Sequence, residues 1–424
     1  MLIYIKINYM IGINSKCYYK INDIPAFIEL VLLEETDLKQ KMINKLEITT
    51  KNNETYKIIR YDKNYLCHDF IFVYGVFKSV VVNSSNRVVC FSPPKSISFD
   101  TFCKMHSETS ENYVDSIIAE EYVEGIMINL FWNENFGLSG SWEISTRNNV
   151  GCENIFKKNK SIREIFLETC ITKNFDFDLL EKRHCYNFIL QHPNFDLLKQ
   201  NNTETIDLYL IKLHEIVNTG DGTVNIFDVE LHEKIKLNSN FTHIKFPEIY
   251  YDWNTYDELK EKYASINTPY SIMGVVVYNK YTHVRSRLKN PNYDSVKYLK
   301  TNHFRNEYLY LSLRKEGKLK EYLSIYSQYK NDFWFFKKYL HLFTENLFQM
   351  YVSCYIKKMK QVNDFHRGIQ VHLKCLHEKY MKGGRQKKHY ITISKTIEYV
   401  NALNPSVLMY SLYLTKVNQI KISS

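Results

Sequence analysis

Arg285 and Arg287 stand two residues apart in HVRSRLKNPNY (283–293), so in an extended strand both side chains leave the same face. Two guanidiniums side by side make a donor array that suits phosphate oxygens. A solvated strand edge would give the same pattern. Lys95 follows Pro93-Pro94 in FSPPKS (91–96), where the prolines stiffen its approach; it is either a solvated turn residue or a positioned amine. Glu124-Gly125 precedes the apolar run GIMINLFW (125–132) and, taken alone, reads as a turn entering a strand. NTGDGT (218–223) has the look of a phosphate cradle, but no Gly-Lys-Ser/Thr follows and it reads as a turn. For these residues phosphate handling and an ordinary solvated surface both stay open.

Other chemistries find little support. The sequence holds no P-loop, no HExxH and no Gly-x-Ser-x-Gly element. His184, His192, His366, His372 and His377 fall into no metal-ligand spacing with Cys or carboxylate partners, and surface or structural places are expected for them. Nine cysteines lie at irregular spacing without a CxxC pair, which argues against a disulfide framework or a zinc ribbon and for a reducing, cytoplasmic compartment. The first residues, MLIYIKINYMIGIN, alternate like a strand more than they resemble a signal core. The most apolar long stretch, 333–355, is interrupted by Lys337, Lys338, His341, Glu345 and Gln349, so no membrane span and a soluble protein are expected. The net charge of +10 favours encounter with polyanions. The 34 Tyr and 25 Phe accompany abundant Asn, Lys and Ile, the signature of AT-rich codons, so they do not by themselves indicate base stacking. Trp142 and Phe131 read as core residues.

The elements that must position these residues are α+β over the first two thirds. Strand-like runs recur: IFVYGVFKSVVV (71–82), RVVCF (87–91), GIMINLFW (125–132), WEISTR (142–147), YNFILQ (186–191), IDLYLIKL (206–213) and IMGVVVYN (272–279). SIREIFLETC (161–170) reads as a helix, and 221–237 receives no assignment. From Asn306 to Leu414 the period is helical, with Phe333, Phe336, Leu340, Phe343, Leu347 and Met350 on one face. We expect domains at 1–300 and 301–424, the second all-α, with the basic loop 382–388 a solvated connection between helices.

Six segments in order resemble those of the bacteriophage type of ATP-dependent RNA ligase. FKSVVV (77–82) stands where that family has an Arg-Gly-apolar strand, and FSPPKS (91–96) resembles its proline-then-lysine segment. YVEGIMI (122–128) sits at the KxDG nucleotidyl motif, and WEISTRNNVG (142–151) resembles the strand that follows. NFILQHP (187–193) matches a strand that normally carries a glutamate, and MGVVV (273–277) with HVRSRLKNPNY resembles EGxVx followed by KxK. The all-helical tail also matches, and it disfavours the related DNA ligases and capping guanylyltransferases.

The resemblance implies an α+β ligase-type nucleotidyltransferase domain with antiparallel sheets, followed by an all-α domain. It implies ATP and Mg2+ as cofactors, and RNA and an adenine nucleotide as partners. In the implied reaction a lysine amine attacks the α-phosphate of ATP, and AMP then activates an RNA 5′-phosphate for joining to a 3′-hydroxyl. Carried over by position, Lys78, Gly125, Arg147, Arg285 and Arg287 would bind nucleotide and phosphate, and Lys95 would face the nucleotide. Glu124 keeps the acidic place of KxDG, but the lysine place is Tyr122 and the two glutamate places are Ile189 and Met273. Two alternatives follow. Either the fold is a catalytically inactive binder of RNA or nucleotide, or catalysis continues with a relocated lysine, with Lys95 and Glu124 the catalytic pair. Lys104 is a weaker candidate for that lysine, and Glu120, Glu121, Glu124 or Glu143 would supply carboxylates. This version of the segments, with the codon signature, also resembles those of large DNA viruses, which implies host cytoplasm or a viral factory.

Overall fold

The structure is a computed structural model that describes residues 18–20, 42–67, 70–109, 113–137, 139–157, 160–195, 197–198, 206–219, 224–231, 238–299, 305–382 and 390–423. The strand expected at 1–14, most of the NTGDGT turn and nearly all of the 382–388 loop lie outside the described residues. The chain divides into two compact units, Met1–Asp294 and Ser295–Ser424, with the division falling inside the helix Pro291–Leu299.

Unit one is built on antiparallel strands. In chain order these are β1 (Tyr18–Lys20), β2 (Ile43–Thr49), β3 (Thr55–Tyr61), β4 (Val80–Val82) and β5 (Val88–Phe91). Then come β6 (Ile117–Glu121), β7 (Ile126–Asn133), β8 (Ser141–Ser145), β9 (Ile155–Lys157) and β10 (Lys160–Ser161). The last six are β11 (His184–Gln191), β12 (Asp207–Asn218), β13 (Val224–Val229), β14 (Ile249–Tyr250), β15 (Gly274–Asn279) and β16 (Arg285–Lys289). A six-stranded sheet runs β1-β13-β12-β11-β7-β8, and two four-stranded sheets run β14-β6-β15-β16 and β2-β3-β4-β5. The α+β class expected from the sequence is the class observed.

Alternation along the central strand β11 explains its place. Tyr186, Phe188 and Leu190 point into a buried cluster with Ile128, Leu130, Leu208 and Leu210. The helix Ile162–Thr172 closes this cluster with Ile165, Phe166 and Cys170, and its start is fixed by a capping box between Ser161 and Glu164. Fully burying such aliphatic and aromatic side chains stabilises by about 1.5–3 kcal/mol each, which anchors the sheet that carries part of the site. One sequence expectation needs correction. The first third of IFVYGVFKSVVV is a helical turn, Ile71–Tyr74, closed by Gly75 N–H donating to Ile71 O at 2.9 Å, and only Val80–Val82 is strand. A short apolar run does not distinguish the two periods.

Unit two is helical where described: Asn306–Lys315, Leu319–Ile325, Lys330–Tyr351, Arg367–Lys382, Ile393–Ala402 and Pro405–Ser423. Phe333, Leu340, Phe343 and Leu347 are buried along the 22-residue helix, as their spacing requires. His372 is a core residue whose ring nitrogens sit 2.7 Å from Tyr399 Oη and 2.7 Å from Ser411 Oγ. No helix among the described residues is long and apolar enough to cross a membrane.

Candidate functional site

The strand pairings of β6, β15 and β16 decide which side chains share a face. Ala119, Val277 and Ser286 form one cross-strand row; with Ile117, Val275 and Leu288 they face a buried cluster containing Phe102, Tyr256 and Leu259. The alternate rows, Glu120–Val276–Arg287 and Ile118–Tyr278–Arg285, therefore leave the opposite face. Arg285 and Arg287 point together because Ser286 and Leu288 are taken by the core.

Lys95 is brought to this face by backbone bonds. Ile97 N–H donates to Arg285 O at 2.9 Å, and Ser286 Oγ donates to Ile97 O at 2.9 Å, which fastens the Pro-Pro-Lys segment beside β16. Lys95 N–H itself donates to Gly75 O at 2.9 Å. The Lys95 ammonium then lies 5.2 Å from the centre of the Tyr61 ring, and the Arg147 guanidinium lies 4.7 Å from the same ring. Arg147 Nη2 also donates to Tyr61 O at 3.3 Å. Arg287 Nη1 donates to Tyr122 Oη at 2.8 Å. Lys78 enters from the segment before β4, between the fully buried Phe77 and Ser79, and its Nζ lies 3.8 Å from Met127 Sδ on β7.

The electrostatics register how close these groups are. Burial pushes the Lys78 amine down to about 7, and the positive charges of Arg285, Arg287, Arg147 and Lys63 push the same way. Lys95 is lowered by burial and then by Arg147, Arg287 and Lys63. Lys63 is lowered first by Arg147, then by burial, Arg287 and Arg60. Among the described residues none of Lys63, Lys78, Lys95, Arg147, Arg285 or Arg287 has a carboxylate at ion-pair distance. Among the described residues, buried Arg285 Nε and Nη1, and Arg147 Nε, have no hydrogen-bond partner. A half-buried group of like charges with unpaired donors is unfavourable in the free protein and is relieved by an anion.

The structure thus brings together all five basic positions singled out in the sequence: Lys78, Lys95, Arg147, Arg285 and Arg287. Two members, Lys63 and Tyr61, were not singled out. Nothing marks them in the sequence, because only the end of β3 brings them beside Arg147. Lys104 is exposed on the helix Phe99–Met105 and has no place in the cluster.

The acidic residues are employed differently. Glu124, considered above for catalysis, is buried. Its Oε1 accepts from Tyr293 Oη at 2.7 Å and its Oε2 from Leu198 N–H at 2.9 Å, the arrangement of an anchor for the turn. Gly125 is dictated by packing: at φ +151 a Cβ would come 2.5 Å from Ile189 Cγ2 and 2.6 Å from Leu190 O. Glu143 is buried, pairs with Arg163 and accepts from Ile144 N–H. Glu120 is raised by burial, against the pull of Lys212 and Arg285. The described residues contain no group of three or more His, Cys, Asp or Glu arranged to hold a metal ion. No residue is assigned to a metal ion, and no step is routed through one.

Beneath Arg285 lies a cavity of about 10 Å3 lined by Pro94, Glu120, Lys212, His214, Asp228 and Tyr278 among others. That is room for about one water, not for a nucleotide. Asp228 binds Lys212 at 3.1 Å and His283 at 2.5 Å; burial opposes its charge, but Lys212 and His283 hold the carboxyl well below the usual range. Burial pushes the neighbouring His214 down to about 4, and its Nδ1 lies 2.7 Å from Asn187 Oδ1. A folded-state pKa below the unfolded value of about 6.5 means that stability present above that pH is lost as pH falls. Urea midpoints should therefore drop between about pH 6.5 and 4, and His214→Asn should flatten that drop. An equal slope in the variant would remove His214 as its cause.

No protein-family model and no curated protein matches the chain. Among solved structures, two forms of an archaeal ATP-dependent RNA ligase are similar at TM-scores of 0.38 and 0.39, with 11% and 10% identity. The match covers 68% of this chain in both cases, and 66% and 68% of the archaeal chains. A mutant Naegleria gruberi RNA ligase with ATP and Mn is similar at a TM-score of 0.32 and 11% identity, over 61% of this chain and 81% of that one. The chain thus spans about two thirds of the archaeal structures it matches.

Proposed function

We propose that this protein is an RNA ligase-like phosphate-handling protein whose basic face holds the phosphates of an adenine nucleotide and of RNA ends. One observation carries the reading: Lys63, Lys78, Lys95, Arg147, Arg285 and Arg287 converge with no carboxylate at ion-pair distance among the described residues. Its agreement with the ordered segments of the sequence supports the choice of ligands. In this reading Arg285 and Arg287 take phosphate oxygens, Arg147 and Lys63 line the rim, and Lys95 supports the leaving pyrophosphate. AMP passes from ATP to a lysine, then to the RNA 5′-phosphate, and the 3′-hydroxyl displaces it. A divalent cation enters only as the nucleotide's own counter-ion.

A second reading, an inactive binder on the same fold, is favoured by Tyr122, Ile189 and Met273 where the resemblance places a lysine and two glutamates. Both readings expect 5′-phosphorylated RNA to bind with a steep salt dependence. For a single strand the slope of log K against log salt is about −0.7 per neutralised phosphate, so four to six engaged cations give roughly −3 to −4. Fluorescence anisotropy over 50–300 mM salt reads the slope; a slope near zero would defeat both. Joining of 5′-phosphate to 3′-hydroxyl RNA with ATP separates them.

A further inference from the structure

We propose that Lys78, reaching the cation cluster from the segment that enters β4, is the amine that attacks the α-phosphorus of ATP. The inference rests on the ligase-like reading above and names the nucleophile that this reading leaves open.

The first argument is place. Lys78 Nζ lies against Met127 at the start of β7, close after the turn that carries Tyr122, and Tyr122 is itself bonded to Arg287. Lys78 thus reaches the strand that follows the Tyr122 turn, and Arg287, which bonds Tyr122, is among the cations acting on its amine, although Lys78 comes from a different sheet. Phe77 and Ser79 are both 0% exposed, so the backbone on either side of Lys78 is fixed and only its own side chain remains to be ordered at attack.

The second argument is protonation. Attack on phosphorus needs a neutral amine, and an ordinary lysine at neutral pH is almost wholly charged. Lys78 is half-buried, pressed by four cations, and among the described residues bonded only to a thioether sulfur, a weak acceptor that does little to hold the ammonium form. Burial and these charges bring the amine down to about 7, so a neutral form is within reach near neutrality. Lys95 is lowered too, by burial and then by Arg147, Arg287 and Lys63, but it sits over the Tyr61 ring, a contact that favours its charged form. Arg147, Arg285 and Arg287 cannot lose a proton under these conditions. The residue types agree: the resemblance expects arginine at 78 and lysine at 122, and this chain has lysine at 78 and tyrosine at 122.

The step balances as follows. Lys78 Nζ forms a bond to the α-phosphorus, the bond from that phosphorus to the pyrophosphate oxygen breaks, and its electron pair leaves with pyrophosphate. The surplus proton on nitrogen passes to water, leaving a phosphoramidate. Attack by an RNA 5′-phosphate oxygen then breaks the N–P bond, and the amine regains a proton from water.

The test is incubation of the full chain with ATP labelled at the α-phosphate and Mg2+ or Mn2+ across pH 5.5–9, followed by peptide mapping. The expected result is an acid-labile, alkali-stable AMP adduct on Lys78 whose rate of formation rises with pH and levels off above about 7. Lys78→Arg, which keeps the charge, should lower the adduct by at least ~100-fold, and Lys95→Arg by less than ~10-fold. Mapping on the unaltered protein does not depend on whether the variants fold. An adduct on Lys95, or an acid-stable one on Tyr122, would overturn the assignment and leave adenylyl transfer standing. No adduct, with ATP still bound, would overturn both the assignment and the joining reaction while the binding reading survives. Neither adduct nor binding of ATP or RNA would overturn all three.

Discussion

Replacing Arg285 and Arg287 together by alanine is expected to weaken binding of ATP and of 5′-phosphorylated RNA by about 100-fold or more. Two charge-assisted contacts of ~1.5–3 kcal/mol each account for that size. The salt slope for RNA should become shallower by about 1.4, or 0.7 for each cation removed. The fold should survive. Arg287 is exposed, and among the described residues the two arginines make no ion pair and buried nitrogens of Arg285 are unpartnered. Removing them also relieves the repulsion felt by Lys78, so the thermal midpoint of the free variant should stay level or rise. Anisotropy and differential scanning fluorimetry on the same preparations read both quantities. Unchanged affinity together with an unchanged slope would place the phosphate site elsewhere.

Gly274→Ala should destabilise the protein by about 3–5 kcal/mol, enough to threaten the fold. At φ +139 a Cβ on Gly274 would stand 2.1 Å from Leu288 O and 3.0 Å from Lys289 Cα, both backbone atoms that cannot swing aside. The close approach sits where β15 meets β16, and Gly274 O also accepts from Tyr122 N–H at 3.2 Å. One contact therefore ties the arginine strand to the Tyr122 turn. Gly317 gives the control: its φ of +75 is also left-handed, but nothing lies within 4 Å of where a Cβ would stand. Gly317→Ala should cost only about 1 kcal/mol. Urea unfolding of the two variants separates steric collision from backbone strain; equal losses would mean that the collision at Gly274 relaxes freely.

The periodicities carried much of the architecture. The period of two in HVRSRLKNPNY put Arg285 and Arg287 on one face, and β16 obeys it because Ser286 and Leu288 are needed by the core beneath. The helical period of 333–350 likewise survives in the structure, since a single apolar stripe is enough to seat a helix. Where local signals compete, the sequence was less legible. Residues 71–82 hold a helical turn and a strand in one apolar run, and only the bond from Gly75 to Ile71 tells them apart.

By itself the sequence determined which residue types were on hand for phosphate chemistry and on which strand faces they would stand. It could not determine their state. That Glu124 is held by Tyr293 and Leu198, and Glu143 by Arg163, follows from contacts across 20 to 169 residues of chain. That Lys78 loses its proton near neutrality, while Lys95 rests on an aromatic ring, depends on burial and on charges brought from distant segments of the chain. Coulomb and desolvation energies depend on distance through space and on the surrounding dielectric, and neither quantity is written in the order of residues.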